Sequence, residues 1–595
     1  MQNAETVLEV IRERGKNGLP LERLYRQLFN AELYLLAYRK LYSNAGAMTL
    51  GATEETVDGM SLEKVESIIN SVRSKRYRWT PVRRTYIPKK NGKRRPLGLP
   101  TWSDKLLAEV VRMLLNAYYD VQFSDRSHGF RPGRGCHTAL REIADTWQGV
   151  SWFIEGDITQ CFDQLDHQVM VETLGQKIHD GRFLRLVGNM LTAGYLEDWR
   201  WNATLSGAPQ GGVASPMLSN IYLDRLDQFV ETQLLPQYNR GRLRRTNPEY
   251  KRVENALLRA RKRGDRKSVR ALSQVRRALP SQDPGDPDYR RLRYVRYADD
   301  ILLGLSGPKS EAAEIKQSLG EFLHAELKLE LSKEKTLITH ARTEKARFLG
   351  YEIVVQHSND RITRGRRSVN GVIGLRVPEE AITRRCALYM RRGEPAHRPQ
   401  MLNDQDFTII SKYQAEYRGV VQYYLLASNV YRLGRLRWVI ETSMLKTLAS
   451  KHRATVSATA RKYKAVMQTD EGPRVCFRTV VERGEGKEPL VAWFGGIPLK
   501  RKVEAKPIDR APVLATTQGN ELIHRLLAGS CELCGCARRL EVHHIRKLAD
   551  LNKPGRREKP AWVQLMAKRR RKTLVVCRPC HESTHAGRLA VVPPK

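Results

Sequence analysis

Arg293-Tyr294-Val295-Arg296-Tyr297-Ala298-Asp299-Asp300-Ile301-Leu302-Leu303-Gly304-Leu305 is the stretch that decides the fold. Two hydrophobic runs, each reading as a strand, flank a pair of adjacent aspartates. Asp-Asp favours a turn, so the segment predicts a hairpin that presents two carboxylates at its tip. Adjacent carboxylates repel unless cations neutralise them. Oxygen ligands of this kind suit magnesium, which takes one or two protein carboxylates together with substrate phosphates. A solvated turn is the plain alternative.

A second segment, SWFIEGDITQCFDQLDH (151–167), decides between them. A short apolar strand ends near Asp157, and a helical stretch carrying Asp163 follows. Asp157 at a strand end, with Asp299 and Asp300, supplies the carboxylates for two-metal, in-line phosphoryl transfer. In that chemistry one ion activates a 3′-hydroxyl and the other stabilises the leaving pyrophosphate.

Outward from these carboxylates come further blocks: RRTYIPKKNGKRRPLGLPTWSDK (83–105), SHGFRPGRGCHTAL (127–140), LSGAPQGGVASPMLSNIYLDRLD (205–227), LSKEKTLI (331–338) and FLGYEI (348–353). With Tyr297-Ala298-Asp299-Asp300, their content and order resemble the fingers and palm of a reverse transcriptase of the group II intron-encoded family. The resemblance implies that Asp157, Asp299 and Asp300 hold catalytic Mg2+. It implies that Phe162 excludes a ribose 2′-hydroxyl, so the product is DNA. Arg95 with Lys89 or Lys90 would grip the triphosphate, as guanidinium and ammonium chemistry suits phosphate. Gln210 would lie beside the incoming nucleotide, Gly211 and Gly212 would let backbone approach it closely, and Lys335 would act as general acid toward pyrophosphate.

Residues 410–464 interleave Tyr413, Tyr417, Tyr423, Tyr424, Tyr431 and Trp438 with Arg418, Arg432, Arg435 and Arg437. Aromatics stack unpaired bases and arginines take phosphates, although any single tyrosine on a helix belongs more readily to a core. The order RGVVQYY, MLKTLASKH, ARKYK is similar to the maturase and thumb region of the same family. By that resemblance Arg418, Lys446, Lys451, His452 and Lys462 are RNA contacts.

The C-terminal end carries two Cys-x-x-Cys pairs, Cys531/Cys534 and Cys577/Cys580, a pattern that reads as one structural Zn2+ site. EVHHIRKL and CHESTH resemble a ββα-metal HNH nuclease. The resemblance makes His544 the general base and His543, His581 and His585 the ligands of one divalent ion. His581 and His585, four apart, share a helix face. Adjacent histidines on a regular strand point to opposite faces, so His543 and His544 serve together only where the backbone turns. The HNH pattern expects an asparagine where Lys572 and Thr573 stand; Asn552 is a substitute, or the role is absent. Cys536 lies outside the pairs. A zinc ribbon that only binds DNA is the alternative.

Composition agrees. The chain has 595 residues, 41% of them hydrophobic, and a net charge of +40. That length implies three to five domains with packed cores rather than a disordered tail. The charge implies a polyanionic partner. With no run of about 18 uncharged apolar residues the membrane class is excluded, and without a visible signal peptide an intracellular location is expected, cytoplasmic and nucleoid-associated. Metal-type cysteine spacing fits a reducing interior.

The expected fold is multidomain α+β: a right-hand polymerase with helical thumb, plus a C-terminal ββα-metal HNH domain with zinc-binding cysteines. Expected limits are 1–80 for an N-terminal extension, 81–365 for fingers and palm with a basic insertion at 236–293, 375–470 for maturase and thumb, 471–525 for a DNA-binding region and 526–595 for the nuclease. In the insertion the segment Tyr250 to Ala278 reads as one basic helix. The expected partners are intron RNA, target DNA and deoxynucleoside triphosphates, with a homodimer left open. The expected activity is RNA-directed DNA polymerase, splicing factor and site-specific endonuclease in target-primed intron mobility. A splicing-only protein with vestigial catalytic domains is the alternative.

Overall fold

The computed structural model describes the chain except residues 1–2, 45, 89–91, 93, 205, 208–210, 359, 364–365, 470–471, 484–486, 505–520, 549–550, 552–558 and 589–595. Lys89, Lys90, Gln210 and Asn552 therefore lie outside the described residues.

A four-stranded antiparallel sheet forms the palm, in the order Arg291–Tyr297, Asp300–Ser306, Trp152–Asp157, Leu337–His340. Both faces are covered, which explains why the strands read as nearly continuous apolar runs. Side chains alternate between faces along a strand. Ile154, Tyr294, Ile301, Leu303 and Leu305 join one core with the N-terminal helices and the helices Trp102–Tyr119 and Ser215–Phe229. Phe153, Val295 and Leu302 join a second core with the helices Asp406–Tyr423 and Gly434–Lys451. One sheet thus welds polymerase to thumb.

The fingers carry a second sheet, Arg94–Leu99, Val82–Pro88, Tyr195–Glu197, Arg200–Asn202, whose middle pair is parallel. It is tied to the core helix by Thr101, which caps that helix by accepting from Asp104 N–H, and by Asp104, which accepts from Thr80 N–H.

In the basic insertion the single expected helix is two, Pro248–Lys262 and Arg266–Ala278, packed as a hairpin. Gly264 takes a left-handed conformation (φ 71°) and Asp265 caps the second helix through Ser268 N–H. A Gly in that region ends a helix at no steric cost.

The expected division at residue 470 falls inside a β-hairpin. Lys464–Thr469 pairs with Gly472–Arg483, which pairs with Lys487–Gly495. Phe477, Ala492 and Phe494 are buried with Tyr417 in the thumb core, and Gln414 exchanges two hydrogen bonds with the Gly495 backbone. The strands Gly472–Arg483 and Lys487–Gly495 are thus packed against the helical layer through these residues.

The C-terminal domain is a two-stranded ribbon, Leu540–His544 with Thr573–Cys577, followed by the helix Arg578–His585. Its strand residues Val542 and Val575 belong to the same core as the N-terminal helices, so the domain is docked on the polymerase. Among the described residues no helix is long and apolar enough to cross a membrane.

Candidate active sites

The palm hairpin turns at Ala298, which adopts φ 55°. The turn is held from beneath by Arg296, which is fully buried. Its guanidinium donates to Ala298 O at 3.0 Å, to Asn220 Oδ1 at 3.2 Å and bidentately to Asp227 at 2.7 and 2.5 Å. Tyr294 donates to the same carboxylate. Gly129 packs so closely that a Cβ there would lie 2.4 Å from Ala298 N. The block SHGFRPGRG therefore contributes a surface without side chain against the turn at Ala298.

Register places Asp157 directly opposite Asp300, with Asp299 one residue away on the turn. Burial raises the pKa of Asp300 to about 6, and the neighbouring charges of Asp299 and Asp157 add to the rise. Asp299 is raised by burial first and then by Asp157, while Arg95 and Lys335 pull it down. Arg95, exposed on the fingers, is thus within electrostatic reach of the palm carboxylates. Lys335 Nζ lies 2.7 Å from Asp157 Oδ2. The three aspartates do not form one of the groups whose ligand atoms all lie within 4.8 Å of one another. Like charges push them apart while the Lys335 ammonium draws Asp157 toward itself. The donor set, three carboxylates on a rigid sheet, fits hard cations.

Phe162 is half-buried on the short helix Cys161–Gln164 just beyond Asp157. Against it lies Gly207, where a Cβ would sit 2.7 Å from Phe162 O; Gly207 N–H donates to Leu165 O and its carbonyl meets His167 Nε2. Gly211 (φ 99°) lies on the fingers strand at Gly98. The loop expected to position nucleotide is thereby anchored at both ends.

In the helical layer Tyr413 and Tyr417 are core residues, whereas Tyr431 and Trp438 are 68% and 58% exposed. Arg432 and Arg435 are exposed on the same stretch, as are Arg418 and Lys462 elsewhere. Half-buried Lys446 and Lys451 and exposed His452 each have a partner within the protein. Lys446 donates to Pro395 O; Lys451 and His452 both hold Asp406, which also accepts from Tyr463. Lys451, His452 and Tyr463 thus converge on Asp406 at the start of the helix Asp406–Tyr423.

In the C-terminal domain the sulfurs of Cys531, Cys534, Cys577 and Cys580 lie within 4.8 Å of one another. A four-thiol set of this size fits a tetrahedral metal. Cys577 ends the ribbon and opens the helix that carries Cys580, so the same helix leads from the thiols to His581 and His585. A second group joins His543, His581, His585 and Asp58, again within 4.8 Å. His543 is buried, with no hydrogen-bond partner at Nε2 and only Asp58 Oδ1, at 3.4 Å, near Nδ1. A buried polar group left unsatisfied is costly, and the donor set fits a divalent ion. Glu541 accepts from His581 Nδ1 at 2.7 Å and so orients that ring.

His543 and His544 do point apart. The ring of His543 faces His581 and His585, whereas His544 faces Tyr38 and Tyr42. Burial lowers the pKa of His544 to about 4, keeping it neutral. In place of the asparagine, Arg525 bridges Thr573 and Glu532, and Glu532 accepts from Val575 N–H. That network braces the ribbon. Asp58, Tyr38, Glu541 and Arg525 were not legible in the sequence; only Glu541, two residues before His543 on its strand, carried a local signal.

Fold and sites together define a reverse transcriptase joined to a histidine nuclease. Residues 87–353 match the family model described as reverse transcriptase (RNA-dependent DNA polymerase), 380–474 that of type II intron maturase, and 531–581 that of AI2M/AI1M-like HNH endonuclease. Group II intron-encoded protein LtrA of Lactococcus lactis subsp. cremoris is 39% identical over 605 residues, covering 98% of this chain and 99% of that one. An uncharacterized 91 kDa protein in a cob intron of Schizosaccharomyces pombe is 33% identical over 609 residues, covering 99% and 73%. The chain belongs to the group II intron-encoded proteins. It combines RNA-directed DNA polymerase, intron maturase and HNH endonuclease in one polypeptide, and the splicing-only alternative is not favoured.

Proposed function

We propose that this protein copies its intron into DNA from a primer that its own nuclease creates in the target. The polymerase reading is carried by one observation: Asp157 and Asp300 are cross-strand neighbours beside Asp299, on a turn fixed by a buried ion pair. Asp157, Asp299 and Asp300 would hold Mg2+, which supplies Lewis acidity at the attacking and leaving oxygens. Arg95, with Lys89 and Lys90, orients the triphosphate. Phe162 closes the space beside the sugar, and Gln210 and Gly211 lie along the nucleotide. Lys335 delivers a proton to pyrophosphate.

In the nuclease, Cys531, Cys534, Cys577 and Cys580 would hold Zn2+ as a structural staple, and His543, His581 and His585 would hold the divalent ion at the scissile phosphate. His544 takes the proton from the attacking water. The intron RNA runs over Arg418, Tyr431, Arg432, Arg435, Trp438 and Lys462 and over the basic hairpin 248–278. Residues 1–80, 81–365, 375–470 and 526–595 serve as extension, polymerase, maturase and nuclease. The segment 471–525, whose first part packs with the thumb, contacts target DNA. The protein acts inside the cell.

Extension of a DNA primer on an RNA template tests the polymerase assignment. Asp299→Ala should abolish it while His544→Ala leaves it intact, and an active Asp299→Ala enzyme would defeat the assignment.

A further inference from the structure

The nuclease histidines are not alone. Asp58, from a loop near the other end of the chain, places Oδ2 2.8 Å from His585 Nε2 and Oδ1 3.3 Å from His581 Nε2 and 3.4 Å from His543 Nδ1. Its Oδ1 also accepts from His544 N–H at 2.7 Å. A carboxylate ringed by three imidazoles, each with a nitrogen turned toward it, presents a mixed nitrogen–oxygen donor set that suits a divalent ion.

The placement is built, not incidental. Gly59 N–H donates to Val542 O and Val542 N–H to Met60 O, so an antiparallel β-bridge ties the segment after Asp58 to the nuclease ribbon. Met60 is fully buried, touches Trp102 through its sulfur and shares a core with Tyr38, Leu522, Leu526, Val542 and Val575. The remaining nuclease core, around Met566, Leu574 and Cys577, is separate. Asp58 therefore sits at the seam between two packed bodies, with its side chain on the nuclease side.

We infer that Asp58 is a fourth protein ligand of the nuclease ion, so that loading the metal fastens the nuclease domain to the N-terminal layer. The inference rests on the assignment of His543, His581 and His585 as ligands. It adds that the centre is completed by a second domain. Four protein donors still leave an octahedral ion two positions for phosphate and water. Fastening has a consequence for the base. Nδ1 of His544 is 3.1 Å from Val542 O, and Nε2 is 3.2 Å from the Tyr38 hydroxyl. Both nitrogens are thus occupied while the domains are docked.

Site-resolved hydrogen exchange on the full-length, zinc-containing chain during a Mn2+ titration tests this. In the wild type, Mn2+ should protect the amides of 58–60, 540–544 and 578–585 with one common midpoint. Asp58→Asn keeps an acceptor for His544 N–H, so exchange without Mn2+ should be unchanged while the midpoint rises about tenfold or more, as loss of a metal partner does. His585→Ala should shift it in the same direction. An unchanged midpoint in Asp58→Asn overturns the inference and leaves the histidine assignment standing. No Mn2+ response in the wild type overturns both. Should Asp58→Asn loosen the seam before any Mn2+ is added, the midpoint at 578–585, inside the nuclease, still decides, because it reports binding rather than docking.

Discussion

Arg296 and Asp227 are each wholly buried, and the pair holds the turn that presents Asp299 and Asp300. Removing one partner of such a pair leaves an uncompensated charge and costs about 3–5 kcal/mol. Asp227→Ala should therefore sharply raise hydrogen exchange in the strands Arg291–Tyr297 and Asp300–Ser306 and abolish primer extension; normal exchange there would show that the turn is held by other contacts. Only part of this was readable beforehand. Asp299 and Asp300 announce themselves because two adjacent acids between apolar runs have few structural uses. Arg296 looked like one more basic residue in a basic protein, since its partner lies 69 positions away. Lys451 and His452 have a protein partner that was equally hidden. As charges in a basic stretch they read as RNA contacts, but their acid, Asp406, arrives from another helix.

At the scale of elements, the apolar run Ile301–Leu305 gave the strand, yet the covering of both its faces appears only when the N-terminal and thumb helices are in place. The insertion turned on Gly264, whose left-handed backbone makes two helices of a basic run that reads as one. The nuclease ribbon and its helix were legible from Cys-x-x-Cys and the paired histidines. Asp58 was not, because EETVDGM has no metal-binding spacing. Tyr38 was not because it lies on an ordinary amphipathic helix. Its hydroxyl occupies the free nitrogen of His544, and a single hydrogen bond contributes about 0.5–1.5 kcal/mol. Tyr38→Phe, which keeps the ring in the core, should raise the nicking rate about twofold to tenfold without changing primer extension. A lower nicking rate would show that the hydroxyl assists the base instead of covering it.

Across the whole molecule, one palm sheet joins thumb and fingers, and the nuclease is joined to the polymerase through the core beneath Met60. With Zn2+ on the four clustered cysteines, the nuclease would depend on its own staple, because a small domain gains folding energy directly from a bound structural metal. Cys580→Ser, or removal of Zn2+, should unfold residues 531–588 and abolish nicking, read by circular dichroism and a duplex-cleavage assay. Extension of a supplied primer should persist, since the catalytic carboxylates lie on the palm sheet. Simultaneous loss of both activities would mean that the polymerase needs the docked nuclease to fold.

The proposed function requires that one chain hold two separable phosphodiester centres that act in succession. The most direct measurement follows both strands of a labelled target duplex incubated with the protein assembled on its intron RNA. The wild type should nick one strand and extend the new end into complementary DNA. Asp299→Ala should nick and stop. His544→Ala should neither nick nor extend on intact duplex, but should extend on a duplex nicked beforehand. Complementary DNA made by Asp299→Ala, or a nick made by His544→Ala, would contradict it.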